Sequence, residues 1–104
     1  MRTRTPRRVE RAAAQVGENV RTWRKLLNLT VDELSERAGI SAPALRRLES
    51  GNPGVSFESC ARVLLVLGQL DRVVEATDPY ETDLGRAQAS RTLPQRVRRA
   101  AAPA

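Results

Sequence analysis

The chain has no histidine and one cysteine, and its 104 residues include a single Phe, Trp and Tyr. Cys60 alone cannot close an internal disulfide, and with no His or second Cys a zinc site cannot be assembled. A reducing, cytoplasmic setting is the expectation. The longest apolar run, residues 63–67, is far shorter than the roughly 20 residues a membrane-spanning helix needs. No apolar signal region opens the chain. Few aromatics beside abundant Leu, Val and Ala favour small packed helices over an aromatic-rich β-sandwich, so the expected class is all-α. Enzymatic chemistry lacks its parts: there is no His, no recognisable catalytic carboxylate pair and no phosphate loop. No catalytic residue, metal or cofactor is expected.

What is present is arginine, unevenly placed. The net charge is +6; residues 1–14 carry five Arg and one Glu, residues 15–77 eight basic and eight acidic groups, and residues 78–104 five Arg and three acids. The positive excess therefore sits outside a neutral central segment, a bias toward nucleic acid or another polyanion. The length suits one core with tails. We expect a basic arm over 1–14, mobile at its start and able to become helical from Arg7 onward, a folded domain over 15–77 and a polar, basic tail over 78–104.

Within the central segment Val16, Val20, Trp23, Leu26 and Leu27 recur at three- and four-residue spacing, predicting a first helix over about 15–28. Thr30 with Glu33 three positions on forms a capping-box pattern at the start of a second helix, which Gly39 should close in a left-handed cap. Ser41 caps a third helix, tolerant of Pro43 near its start, that ends near Glu49. Turn formers fill 50–54, and Ser56 caps a fourth helix with Phe57, Val63, Leu64 and Leu67 as apolar positions. Gly68 ends it; a short fifth helix around Leu70, Val73 and Val74 is closed by Asp78-Pro79. Beyond Tyr80, short helices are expected at about 83–90 and 94–101.

The turn Ala38-Gly39-Ile40-Ser41 is too short for an antiparallel return, so the second and third helices must cross steeply, leaving the third free to enter a major groove. Leu34, Ala38, Ile40, Leu45 and Leu48 fall where such a helix-turn-helix buries apolar groups.

The segment from Thr30 to Gly51, with its Ala-Gly-Ile-Ser turn and Leu-Glu-Ser-Gly ending, resembles the phage repressor and Cro family, also called XRE, and the likeness extends over about residues 16–76. It implies a five-helix, lambda-repressor-like all-α domain that binds a palindromic double-stranded DNA operator as a homodimer, usually as a repressor. Ser41, Ala42, Pro43, Ala44, Arg46 and Arg47 lie at the start or outer face of the third helix, within reach of base edges or phosphates. Arg47 is the first candidate for gripping guanine bidentately; Arg46 is a second reader or a phosphate clamp; both could also be plain solvated charges. Ala42 stands where relatives often carry a longer polar reader, and Val31 where many place a phosphate-anchoring Gln. Asn52, Gly54 and Ser56 could bind phosphate through backbone N–H groups, or Asn52 could be a turn residue only.

The resemblance further implies a structural ion pair between Arg24 and Glu49. Dimerisation is expected through Leu65, Gly68, Leu70, Val73 and Val74, which offer more apolar surface than one small core requires. More weakly, residues 78–86 and 93–99 resemble tails of repressors paired with Hip-type kinase toxins, which implies an autoregulating antitoxin that holds its toxin through 78–104. The alternatives are a stand-alone repressor and an adaptor that uses the same fold to bind protein.

Overall fold

The computed structural model describes residues 3–92, which fall into two compact units divided between Leu70 and Asp71. This division falls seven residues before the boundary expected after residue 77. Among the described residues all regular structure is helical: α1 (Arg7–Leu26), α2 (Val31–Ala38), α3 (Ala42–Glu49), α4 (Phe57–Val66), α5 (Leu70–Thr77) and α6 (Asp83–Thr92).

Local chemistry sets most of these boundaries. Thr30 Oγ1 accepts from the Glu33 amide at 3.0 Å while Glu33 Oε1 accepts from the Thr30 amide at 2.8 Å, the reciprocal box that starts α2. At its far end Gly39 has φ 72°, with its N–H on the Glu36 carbonyl and the Ile40 N–H on the Ser35 carbonyl at 3.0 Å. Ser41 Oγ caps α3 by accepting from the Ala44 amide at 3.1 Å, and Ser56 Oγ caps α4 by accepting from the Ser59 amide at 3.1 Å.

The core of the first unit is Val20, Leu29, Leu34, Ala38, Leu45, Leu48, Val63 and Leu67, with Trp23, Val31, Ile40, Val55, Cys60, Leu64 and Val66 packed around it. Every apolar position assigned to the helix-turn-helix thus turns inward, though Ile40 only in part.

Three expectations need correction. Helix one starts at Arg7 rather than near 15, so the helical stretch that the arm could form from Arg7 onward is continuous with the first helix. Its apolar stripe does not run to the end: Leu26 and Leu27 face solvent, and Leu29 is buried instead. The cause is local, because α1 stops at Leu26 and Asn28 takes φ 58°, which re-aims the chain before the third turn of the stripe can dock. Phe57 is 72 % exposed, since it occupies the first turn of α4, ahead of the point where that helix meets the core.

The second unit is organised by short-range bonds. Asp78 Oδ1 accepts from the Tyr80 amide at 2.9 Å, opening a 3-10 turn over Pro79–Glu81. Thr82 Oγ1 accepts from the Gly85 amide at 3.0 Å at the start of α6. Arg86 donates to the Tyr80 carbonyl and pairs with Asp83, tying the turn to the helix. The short helix expected at about 83–90 within the polar tail is α6 (Asp83–Thr92), preceded by the 3-10 turn. The helix expected over 94–101 and the rest of 93–104 lie outside the described residues.

Candidate nucleic-acid interface

The third helix is held from behind by backbone contact and a charge pair. Gly17 in α1 lies so close to the end of α3 that a Cβ there would approach the Glu49 carbonyl oxygen to 2.8 Å and the Leu48 carbonyl oxygen more closely still. Gly51, at φ 85°, makes a similar approach, since a Cβ on it would sit 2.6 Å from the Ala14 Cα. Only glycine permits two backbones to meet at such separations.

Arg24 then locks three segments together. Its Nε donates to Glu49 Oε2 at 2.7 Å, its Nη2 to Glu49 Oε1 at 3.1 Å, and its Nη1 to the Leu29 carbonyl at 2.9 Å. Side-chain exposures of 11 % and 9 % place the pair largely out of water. There a forked, two-bond guanidinium–carboxylate contact is far stronger than a surface pair. The hydrogen bond and charge of Glu49, offset in part by burial, raise the Arg24 pKa above its ordinary value. Arg24 is thus a scaffold residue that fixes α1, the loop before α2 and the end of α3.

The opposite side of α3 is open. Arg46 and Arg47 are exposed, as are Ser41 and Pro43; Ala42 and Ala44 are half-buried. Neither Arg46 nor Arg47 forms an ion pair among the described residues. Buried Leu45 and Leu48 alternate with these two arginines, so the helix turns its apolar side inward and presents both guanidiniums together. An exposed helix end with adjacent arginines and a free face can enter a groove, where guanidinium forks match guanine acceptors or phosphate oxygens.

The loop behaves differently from the expectation of backbone phosphate binding. Asn52 Oδ1 accepts from the Gly54 amide at 2.7 Å, and the Asn52 amide donates to the Arg47 carbonyl at 3.0 Å. Two of the N–H groups proposed as phosphate ligands are therefore consumed inside the turn, because an Asx turn needs the first and the α3 cap the second. What remains exposed is the Asn52 side-chain amide, whose Nδ2 has no partner among the described residues. Ser56 serves as the α4 cap, and its hydroxyl also donates to Ser59 Oγ at 3.0 Å.

Sequence reasoning missed three positions. Gly17 and Gly51 carry the α1–α3 approach described above. Arg62 of α4 donates from Nη1 to the Ala38 carbonyl at 3.4 Å while its Nε pairs with Glu58 at 2.9 Å, placing a cation at the C-terminal end of α2. A basic residue at this spacing has no local signature, since its partner is 24 residues away.

The expected dimer residues can be placed one by one. Leu65 on α4 is 66 % exposed and Val74 on α5 is 61 % exposed, whereas Leu70 and Val73 are half-buried. Among the described residues no group of His, Cys, Asp or Glu could hold a metal ion, and no helix is long and apolar enough to cross a membrane.

Comparison with known proteins agrees with this geometry. Residues 20–72 match the model of a family described as helix-turn-helix. Over 78 residues the chain is 33 % identical to the HTH-type transcriptional repressor RghR of Bacillus subtilis (strain 168), covering 64 % of this chain and 58 % of that protein. The chain thus spans less than two thirds of the length of the curated relative it matches. No solved structure matches. The matched region contains α2, the Gly39 turn, α3 and the Arg24–Glu49 lock: the chain belongs to the helix-turn-helix family of the phage-repressor, or XRE, type.

Proposed function

We propose that the chain is a sequence-specific DNA-binding transcriptional regulator, a repressor, with α3 as its reading helix. The observation that carries this reading is the pair of exposed, unpaired guanidiniums of Arg46 and Arg47 on a helix whose other side is locked to α1. Arg47 reads a guanine edge, Arg46 holds a second base or a phosphate, and Ser41, Pro43 and Ala44 line the approach. Ala42 offers only a methyl group, which suits a thymine methyl rather than a hydrogen-bonding edge. The name of the Bacillus relative supports the repressor role. No catalytic step belongs to this reading.

One helix of eight residues reads too few base pairs for tight specificity, so the working form is a homodimer on a palindromic site. Leu65 and Val74 supply exposed apolar surface for it. Replacing Leu65 with Asp should lower the apparent mass in solution and weaken palindrome binding; an unchanged mass would remove that residue from the interface. The finer role of antitoxin rests on the resemblance of residues 78–86 and 93–99 to tails of Hip-partnered repressors, and 93–104 lie outside the described residues. A Hip-type kinase gene beside this one, and its capture by the full chain but not by a chain ending at Thr77, would support that role. Absence of both returns the protein to a stand-alone repressor.

The DNA test uses duplexes selected from a random pool by the full chain. Wild type should prefer the selected duplex to a scrambled one, and Arg47→Ala should lose about 1–3 kcal/mol of that preference. No preference at any salt concentration would refute the reading.

A further inference from the structure

The first half of α1 and the start of α4 leave an open groove between them. Val9 and Val16 of α1 and Phe57 and Cys60 of α4 line it, with the buried Leu48 of α3 and the half-buried Val55 on its inner side. Ala12 and Ala13 add only methyl groups to the lining, so the hollow stays unfilled, with a volume of about 330 Å³. Its outer side chains are unshielded: Phe57 is 72 % exposed, Val9 48 % and Val16 39 %. Apolar side chains gathered in one hollow mark a binding site, which singly exposed ones do not.

The size of the groove selects the class of occupant. A volume of about 330 Å³ falls at the lower end of the roughly 300–1,000 Å³ of small-molecule sites, whose walls are mostly apolar with a few polar groups. A stable protein interface instead engages about 20–30 residues on each side, far more than surround this hollow.

Polar groups at the edge narrow the class further. Asn52 lines the groove, and its Oδ1 accepts from the Gly54 amide at 2.7 Å. That bond fixes the carboxamide and leaves Nδ2 as a donor without a partner among the described residues. Arg8, adjacent to Val9 and one turn before Ala12, is exposed and forms no ion pair among the described residues. The same edge of α1 continues with Gln15 and Asn19, bonded to each other at 2.9 Å. Glu10 and Glu18 lie more than a quarter turn round α1 from Val9 and Val16, and Glu58, beside Phe57, is paired with Arg62 at 2.9 Å. The edge therefore combines a free donor with positive charge.

We infer that this groove is a binding site for a small apolar carboxylate. The hydrocarbon body lies against Val9, Val16 and Phe57, where it leaves water, and the carboxylate accepts a hydrogen bond from Asn52 Nδ2 in the field of Arg8. The site stands apart from the DNA-binding reading, and its test contains no DNA.

The probe is octanoate, with octanol as its neutral counterpart; each is titrated into the full chain while methyl and amide NMR signals are followed. Wild type should bind octanoate saturably, one to one, with shifts at Val9, Val16 and Val55 and none at Val74. Asn52→Asp keeps the acceptor that the Gly54 amide requires but replaces the donor with a like charge. It should melt as wild type does, bind octanoate at least about 10-fold more weakly and bind octanol almost unchanged. Ala12→Phe, at an exposed position, fills the hollow and should abolish binding of both probes. No saturable octanoate binding to wild type, or binding that survives Ala12→Phe, overturns the site. Octanoate affinity unchanged by Asn52→Asp overturns the assignment of a carboxylate. An assembly in solution that Ala12→Phe dissociates, with no octanoate bound, gives the groove to a second copy of the chain and overturns the small-ligand site.

Discussion

Gly17→Ala should destabilise this protein, against the ordinary rule for helices. In an exposed helix interior this change stabilises by about 0.8–1.0 kcal/mol, because alanine loses less backbone freedom on folding. Here the new methyl carbon would stand 2.8 Å from the Glu49 carbonyl oxygen and nearer still to that of Leu48. Both oxygens are backbone atoms near the end of α3, so relief requires α1 to back away from α3 rather than a rotamer change. Overpacking of this kind costs about 1–3 kcal/mol and sometimes more. It would also lengthen the Arg24–Glu49 bonds, now 2.7 and 3.1 Å, which bridge the same two helices. The net expectation is a loss of about 1–3 kcal/mol, or about 4–8 °C of melting temperature for each kcal/mol in a domain of this size. Urea denaturation followed by circular dichroism measures it, with exposed Glu18→Ala on the same helix as control, expected within about 0.5 kcal/mol of wild type. A Gly17→Ala variant as stable as wild type, or more so, would refute the close-approach argument.

Three further outcomes follow from the same geometry. Arg24→Ala and Glu49→Ala should each cost about 3–5 kcal/mol because the partner is left largely buried and unpaired, while Arg24→Met/Glu49→Leu should cost clearly less than the two single losses added; denaturation of all three variants checks this. The Thr30 amide and hydroxyl hold the Glu33 carboxyl below its usual pKa. A depressed carboxylate stabilises the fold above its unfolded pKa of about 4.3 and loses that contribution as pH falls through the folded value. Wild type should therefore lose more stability than Glu33→Gln between pH 6 and pH 3, read by thermal melts across that range; parallel curves would contradict the capping-box account. Burial raises the Cys60 thiol pKa, so alkylation at pH 8 should be slow in the native protein and rapid in urea; equal rates would contradict its placement among core neighbours.

The Thr30–Glu33 capping box, the Ser41 and Ser56 caps, the Gly39 turn and the inward set Leu34, Ala38, Leu45 and Leu48 were legible in the sequence because each depends on residues within a few positions of one another. The pairing of Arg24 with Glu49 came through family resemblance and not through spacing, since 25 residues separate the two. Leu26, Leu27 and Phe57 were misjudged for one reason: periodicity assigns a face to a whole helix, but a helix end that leaves the core, as at Asn28 or the start of α4, exposes residues on that face. Gly17 left no mark in the sequence, and Gly51 was legible only as a turn former and part of the Leu-Glu-Ser-Gly ending, not as a point of contact with α1. Their importance lies in what comes near them, and only the folded chain shows that. In the candidate interface, Arg46 and Arg47 were legible as an exposed pair, whereas the Asx turn that consumes the Gly54 amide was not.

The role of α3 as the reading helix is tested most directly by one equilibrium measurement: the affinity of the full chain for a selected duplex relative to a scrambled one at fixed salt, before and after Arg47→Ala. The predicted result is a wild-type ratio of about 10³ or more, reduced about 10-fold or more in the variant while the affinity for scrambled DNA changes little. A ratio near one for wild type, or an Arg47→Ala variant that keeps the wild-type ratio, would contradict the assignment of α3 as the reading helix.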